Sequence, residues 1–138
     1  MVRLVRLFCL LCLAGAGMAA CRQSSTATDA APTIELIAPL CSPPVGAGEV
    51  AVRLSDAAGA PIDDARLSLR GDMTHAGMIP MLAESDGGAD GLYRVPVEWG
   101  MAGEWVLTVE AVLADDSRAV QEFDLSVGVE DELCTEES

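Results

Sequence analysis

The stretch "GLYRVPVEWGMAGEWVLTVEAVLADDSRAVQEFDLSV", Gly91–Val127, decides the fold. Tyr93, Val95, Val97 and Trp99 fall two apart, with Arg94, Pro96 and Glu98 between them. Successive side chains on a strand point to opposite faces, so this pattern predicts one buried and one wet face. "GMAG" is a tight connection. "EWVLTVEAVLA" then repeats the alternation through Trp105, Leu107, Val109, Ala111 and Leu113. "DDS" reads as a hairpin turn. "RAVQEFDLSVGV" follows with Phe123, Leu125 and Val127 inward. Three strands joined by short turns in 37 residues predict a β-rich, antiparallel body.

The same period continues upstream. "ARLSLRG" places Ala65, Leu67 and Leu69 on one face, and "EVAVRLSD" does so with Val50, Val52 and Leu54. "TIELIAP" (Thr33–Pro39) predicts a first strand ahead of the bend "CSPPVGAG". A short strand near Met78–Ala83 is interrupted by Pro80, and Pro96 breaks up the later strand. Proline cannot donate to a sheet ladder, so both are read as edge strands. "SDGGADG" (Ser85–Gly91) is a turn. It lacks the spacing and closing glutamate of a calcium loop. About seven short strands with regular turn signals predict an all-β, immunoglobulin-like antiparallel sandwich.

The N-terminus reads as an export signal. Arg3 and Arg6 precede an apolar run, "LFCLLCLAGA", too short to span a bilayer comfortably. "GMAAC" ending at Cys21 has the small residues of a bacterial lipobox, with Met18 where Leu, Val or Ile is usual. Residues 1–20 are therefore expected to be cut away and Cys21 acylated. The alternative is an ordinary signal cut after Ala20. Acyl chains contribute about 0.8 kcal/mol per buried methylene and would hold the protein on the extracytoplasmic face of a membrane. Residues 21–33 are small, polar and rich in Ser, Thr and Ala, which reads as a flexible tether. The domain is expected over 34–132, and 133–138 is an acidic tail.

Formal net charge is −14, and loss of Arg3 and Arg6 with the leader takes it to −16. There is no lysine. Such a surface repels phosphate backbones, which argues against a nucleic-acid partner. Cys9 and Cys12 leave with the leader, so Cys41 and Cys134 remain. In an oxidising compartment a bridge between them would close a loop of about 93 residues. Loop-entropy models give about 4–5 kcal/mol for that closure, usually less in practice. The rival reading is a pair of thiols serving a metal.

The chemistry-bearing segment is "GDMTHAGMIPMLAE", Gly71–Glu84. It holds His75, the only histidine, with Met73, Met78 and Met81. Thioether sulfur and imidazole nitrogen are good ligands for the soft ion Cu(I). Met73 and His75 are two apart and point the same way in an extended chain. Gly77 lets the chain fold back toward Met78. Met101, in the next tight turn, can approach the same end of a sandwich as a further ligand. Methionine is equally a filler of irregular cores, and a burial role for all four stays open. Zinc is disfavoured because a structural site wants four Cys or His ligands. No Ser-His-Asp pattern is present, and the chain is expected not to be an enzyme.

The run from Leu54 to Arg118 resembles the YtkA-like/FixH-like domain family. The resemblance rests on "D-x-x-G-x-P" at Asp56–Pro61, "MTHAGM" at Met73–Met78, "G-L-Y" at Gly91–Tyr93 and "M-A-G-E-W" at Met101–Trp105. It covers about Glu49 to Val127. It implies an extracytoplasmic, membrane-anchored immunoglobulin-like domain. Some members are linked to copper handling and to assembly of copper-containing oxidases. Two functions therefore stand at this point. One is a lipid-anchored Cu(I)-binding module for copper handling or delivery, with Met73, His75, Met78 and Met81 as ligands and Met101 in addition. The other is an accessory sandwich without metal that docks on a membrane complex, an oxidase or a transporter, through its edge strands and loop ends.

Overall fold

The computed structural model describes residues 31–130 apart from residue 76. The leader, Cys21, most of the tether, Cys134 and the acidic tail lie outside the described residues.

Seven strands form, all antiparallel: β1 (Thr33–Ala38), β2 (Gly46–Ser55), β3 (Arg66–Met73), β4 (Met81–Asp86), β5 (Leu92–Trp99), β6 (Gly103–Val112) and β7 (Arg118–Val127). They make two sheets. One has the order β1-β2-β5 and the other β4-β3-β6-β7. The fold is an all-β immunoglobulin-like sandwich, with the fourth strand placed beside the third. Both proline inferences match this order, because β5 and β4 are sheet edges and Pro80 sits just before β4.

The core is the set of inward residues that the alternation selects. Val50, Val52 and Leu54 from β2 meet Leu67 and Leu69 from β3, Tyr93 and Val95 from β5, and Leu107 and Val109 from β6. All are essentially inaccessible, and no polar or charged residue is buried with them among the described residues. Removing this apolar surface from water is the main stabilising term, at about 25 cal/mol per Å². Phe123, expected to face inward, is partly buried and packs against the core from the edge strand β7.

Tyr93 ties the loop between β2 and β3 to the start of β5. Its hydroxyl donates to the Ile62 carbonyl at 2.8 Å and accepts from the Ala65 N–H at 3.1 Å. Alongside, the Gly91 N–H donates to Asp63 Oδ1 at 2.5 Å. Gly91 has φ 72°, and a Cβ there would stand 2.7 Å from the Leu54 carbonyl, so only glycine fits this corner. Tyr93→Phe leaves two backbone groups unpaired. It should lower unfolding free energy by about 1–3 kcal/mol in urea titrations. Burial pushes the Tyr93 phenol above its ordinary value. The folded state then holds this proton at a pH where the unfolded chain, at about 10, releases it. Stability from this group is complete below about pH 10 and falls as pH rises beyond it. The Tyr93→Phe variant should lack that part of the alkaline loss.

Candidate metal centre at one end of the sandwich

Strand direction sorts the loops into two ends. The β1–β2, β3–β4 and β5–β6 connections and the chain after β7 share one end. The β2–β3, β4–β5 and β6–β7 connections share the other, where Thr33 also begins β1. The second end is rich in aspartate: Asp56, Asp63, Asp64, Asp90, Asp115 and Asp116. The first end has no charged residue in any of its three inter-strand loops, and it carries the Met/His segment.

Met73 is the last residue of β3 and pairs across the sheet with Trp105. It is half-buried and packs on the core. A Cβ on Gly103 would lie 2.9 Å from its Cε, so the thioether lies directly over the start of β6. The next residue, Thr74, donates its N–H to the Glu104 carbonyl at 3.1 Å. This fixes the root of the β3–β4 loop against β6. His75 follows, exposed. Gly77 has φ 88°, and the loop turns there as its glycine requires. Met78 is 39% exposed and Ile79 87%.

Met101 lies in the β5–β6 turn and is 48% exposed. Its carbonyl accepts the Trp105 Nε1–H at 3.1 Å, which anchors the turn to the strand that pairs with Met73. Thus Met73, the His75–Met78 loop and Met101 are held at one end by adjacent backbone. Met81 is different. It pairs with Gly71 on β3, is 8% exposed, and its Cε fills the space a Gly71 side chain would need, next to Trp105. Its sulfur therefore packs in the core, while Met78 and Met101 reach solvent.

Beneath this end lie two tryptophans. Trp99 and Trp105 meet edge to face, centroids 5.6 Å apart at 74°. The Trp99 Nε1–H is buried over Gly48 and has no acceptor among the described residues. Among the described residues, no three His, Cys, Asp or Glu side chains come together as a metal site. The side chains that could donate to a metal on the β3–β4 and β5–β6 loops are soft or borderline ones, Met78, Met101 and His75. Asp72, beside the site, is paired with Arg70 at 2.6 Å, and that hydrogen bond holds its carboxyl below the usual range. Cys41, in the β1–β2 loop at the same end, is not a free thiol, and Cys134 lies outside the described residues.

Residues that pattern reading passed over complete this end. Val45, Ala102 and Gly128 crowd together, since a Cβ on Gly128 would lie 2.8 Å from Ala102 Cβ and 3.1 Å from Val45 Cγ2. The available signal was the absence of charge from "CSPPVGAG", "THAGMIP" and "GMA".

The arrangement is a small antiparallel sandwich with thioethers and one imidazole at a loop end. The YtkA-like family profile matches residues 27–110. The chain belongs to the YtkA-like family. No curated protein matches. Among solved structures, a superoxide reductase (neelaredoxin) from Ignicoccus hospitalis is similar at 13% identity, over 69% of this chain and 79% of its own, with a TM-score of 0.50. The PmoD soluble domain from Methylocystis sp. ATCC 49242 (Rockwell) aligns at 13% identity over 70% and 90%, TM-score 0.43. Murine CRIg aligns at 8% identity over 73% and 99%, TM-score 0.41. The likeness to the superoxide reductase is one of fold.

Proposed function

We propose that this domain binds Cu(I) at the loop end of its sandwich and handles or delivers copper outside the cytoplasm. Met73, His75 and Met78 are the ligands, and Met101 completes the set. Met81 is assigned to the core that shapes the site. The observation that carries this reading is the joint placement of Met73, the His75–Met78 loop and the Met101 turn by β3 and β6. Thioethers do not protonate at ordinary pH, and no carboxylate sits in these loops to favour a hard divalent ion. The copper is cargo, and no catalytic step is assigned to the domain.

The export signal and the lipobox at Cys21 support a lipid-anchored protein of the cell envelope. Copper handed over at a membrane would go to, or come from, a membrane protein such as an oxidase or a transporter. The test is titration of the apo-protein with Cu(I), oxygen excluded, against a competing chelator. Tight 1:1 binding is expected. A protein that leaves the chelator's copper untouched would remove the reading.

A Cys41–Cys134 bridge belongs to the same proposal, because it would secure the chain after β7 to the site-bearing end. Non-reducing peptide mapping should find the two cysteines joined. Reduction should lower unfolding free energy by about 2 kcal/mol.

A further inference from the structure

The end that carries the methionines also carries most of the exposed bulky apolar side chains of the described domain. Leu40, Val45, Met78, Ile79, Met101 and Val129 all lie there. Only Leu82 and Val120 among the exposed large hydrophobics lie on strands instead. The six come from different loops, yet the loops touch: Val45, Ala102 and Gly128 meet, and Met73 packs on Gly103. Such a concentration on one end of a small, strongly charged domain marks a contact surface.

The rim decides what covers it. Glu98 is the penultimate residue of β5, Glu104 the second of β6, and Asp124 borders Leu40 and Cys41. All three carboxylates are exposed. Each of the five described arginines already has a carboxylate partner: Arg53 with Glu35, Arg66 with Asp86, Arg70 with Asp72, Arg94 with Glu49, and Arg118 with Glu110. No described cation is left over for the rim. Anionic lipid headgroups would be repelled by it. A second copy would bring the same carboxylates face to face. A surface with an apolar centre and lysine or arginine around it satisfies both parts.

We propose that this end docks on a protein that presents an apolar patch edged by basic residues. The neutral centre excludes water, and the acidic rim sets approach and register. The site's exposed donors, His75, Met78 and Met101, lie inside that footprint. The inference does not need them to hold metal.

The experiment uses the full-length chain in its own envelope, with Ile79→p-benzoylphenylalanine as the photo-crosslinking probe. Asp116→p-benzoylphenylalanine, at the opposite end, is the control. The Ile79 probe should join a discrete protein at an apolar segment flanked by Lys or Arg. The Asp116 probe should not. Reversing the rim with Glu98→Lys and Glu104→Lys should cut the yield by about fivefold or more. Both rim sites face solvent, so the variant should fold, and circular dichroism checks this. Adducts on phospholipid, on a second copy, or on nothing would overturn the inference, as would a yield indifferent to rim charge. Repeating the crosslink with His75→Ala separates the two proposals. An adduct that persists when copper binding is lost leaves docking standing without the metal.

Discussion

Replacing Trp99 with alanine should lower unfolding free energy by about 3–5 kcal/mol, among the largest losses available to a single side chain here. Trp99 is 1% exposed and stands edge-on to Trp105. An aromatic pair of that geometry contributes about 0.5–1.5 kcal/mol beyond its buried area. The space left behind cannot collapse easily. Gly48 has no side chain to offer, and the strand register of Gly46 with Trp99 and Gly48 with Val97 holds the backbone in place. Domains of this size have about 5–15 kcal/mol in total, so the variant should fold with a thin margin. Urea titration should show a lowered midpoint with an unchanged slope. Trp99→Phe should cost clearly less, because the indole N–H it removes makes no hydrogen bond among the described residues. A loss below about 1 kcal/mol for the alanine variant would mean that the ring is not part of the packed end.

Changing Met73 and His75 together to alanine should weaken Cu(I) binding by about 100-fold or more, near 2.7 kcal/mol. The two are separated by one residue whose N–H is pinned to β6, so they leave the scaffold from a fixed point. Met78 and Met101 sit on more exposed backbone and should each matter less. Met81→Leu is the contrasting variant. It keeps the volume that closes over Gly71, and it should leave Cu(I) affinity within a few-fold of the parent. Chelator competition measures both. If Met81→Leu abolished binding while the double variant retained it, the ligand set would be wrong.

Much of the architecture was legible because it depends on a period of two. Tyr93, Val95, Val97 and Trp99 are all buried, as their spacing requires, and Pro80 and Pro96 mark edges. Three features were not legible. β4 runs on through Ser85 and Asp86, which read as a turn; on an edge strand those polar side chains cost little and pair with Leu67 and Arg66. β2 begins at Gly46, because the ladder to Trp99 holds residues whose own strand preference is poor. The fate of Met81 depended on register, since only the pairing with Gly71 reveals a hole of the right size for its side chain. Met73 belongs to β3 itself, which runs two residues past the predicted strand and keeps Met73 in phase with Leu67 and Leu69. The gathering of Met101 with Met73 follows from the rule that sandwich loops cluster at two ends.

The direction of β1 has a mechanical consequence. The chain enters the domain at the aspartate-rich pole, and strands of ten residues rise about 33 Å to the opposite one. An anchor upstream of Thr33, as proposed at Cys21, would therefore hold the aspartate-rich pole nearest to it and the sulfur-bearing pole farthest away. On that proposal, residues inserted between Cys21 and Thr33 should move the sulfur-bearing pole farther from the membrane while leaving its chemistry alone.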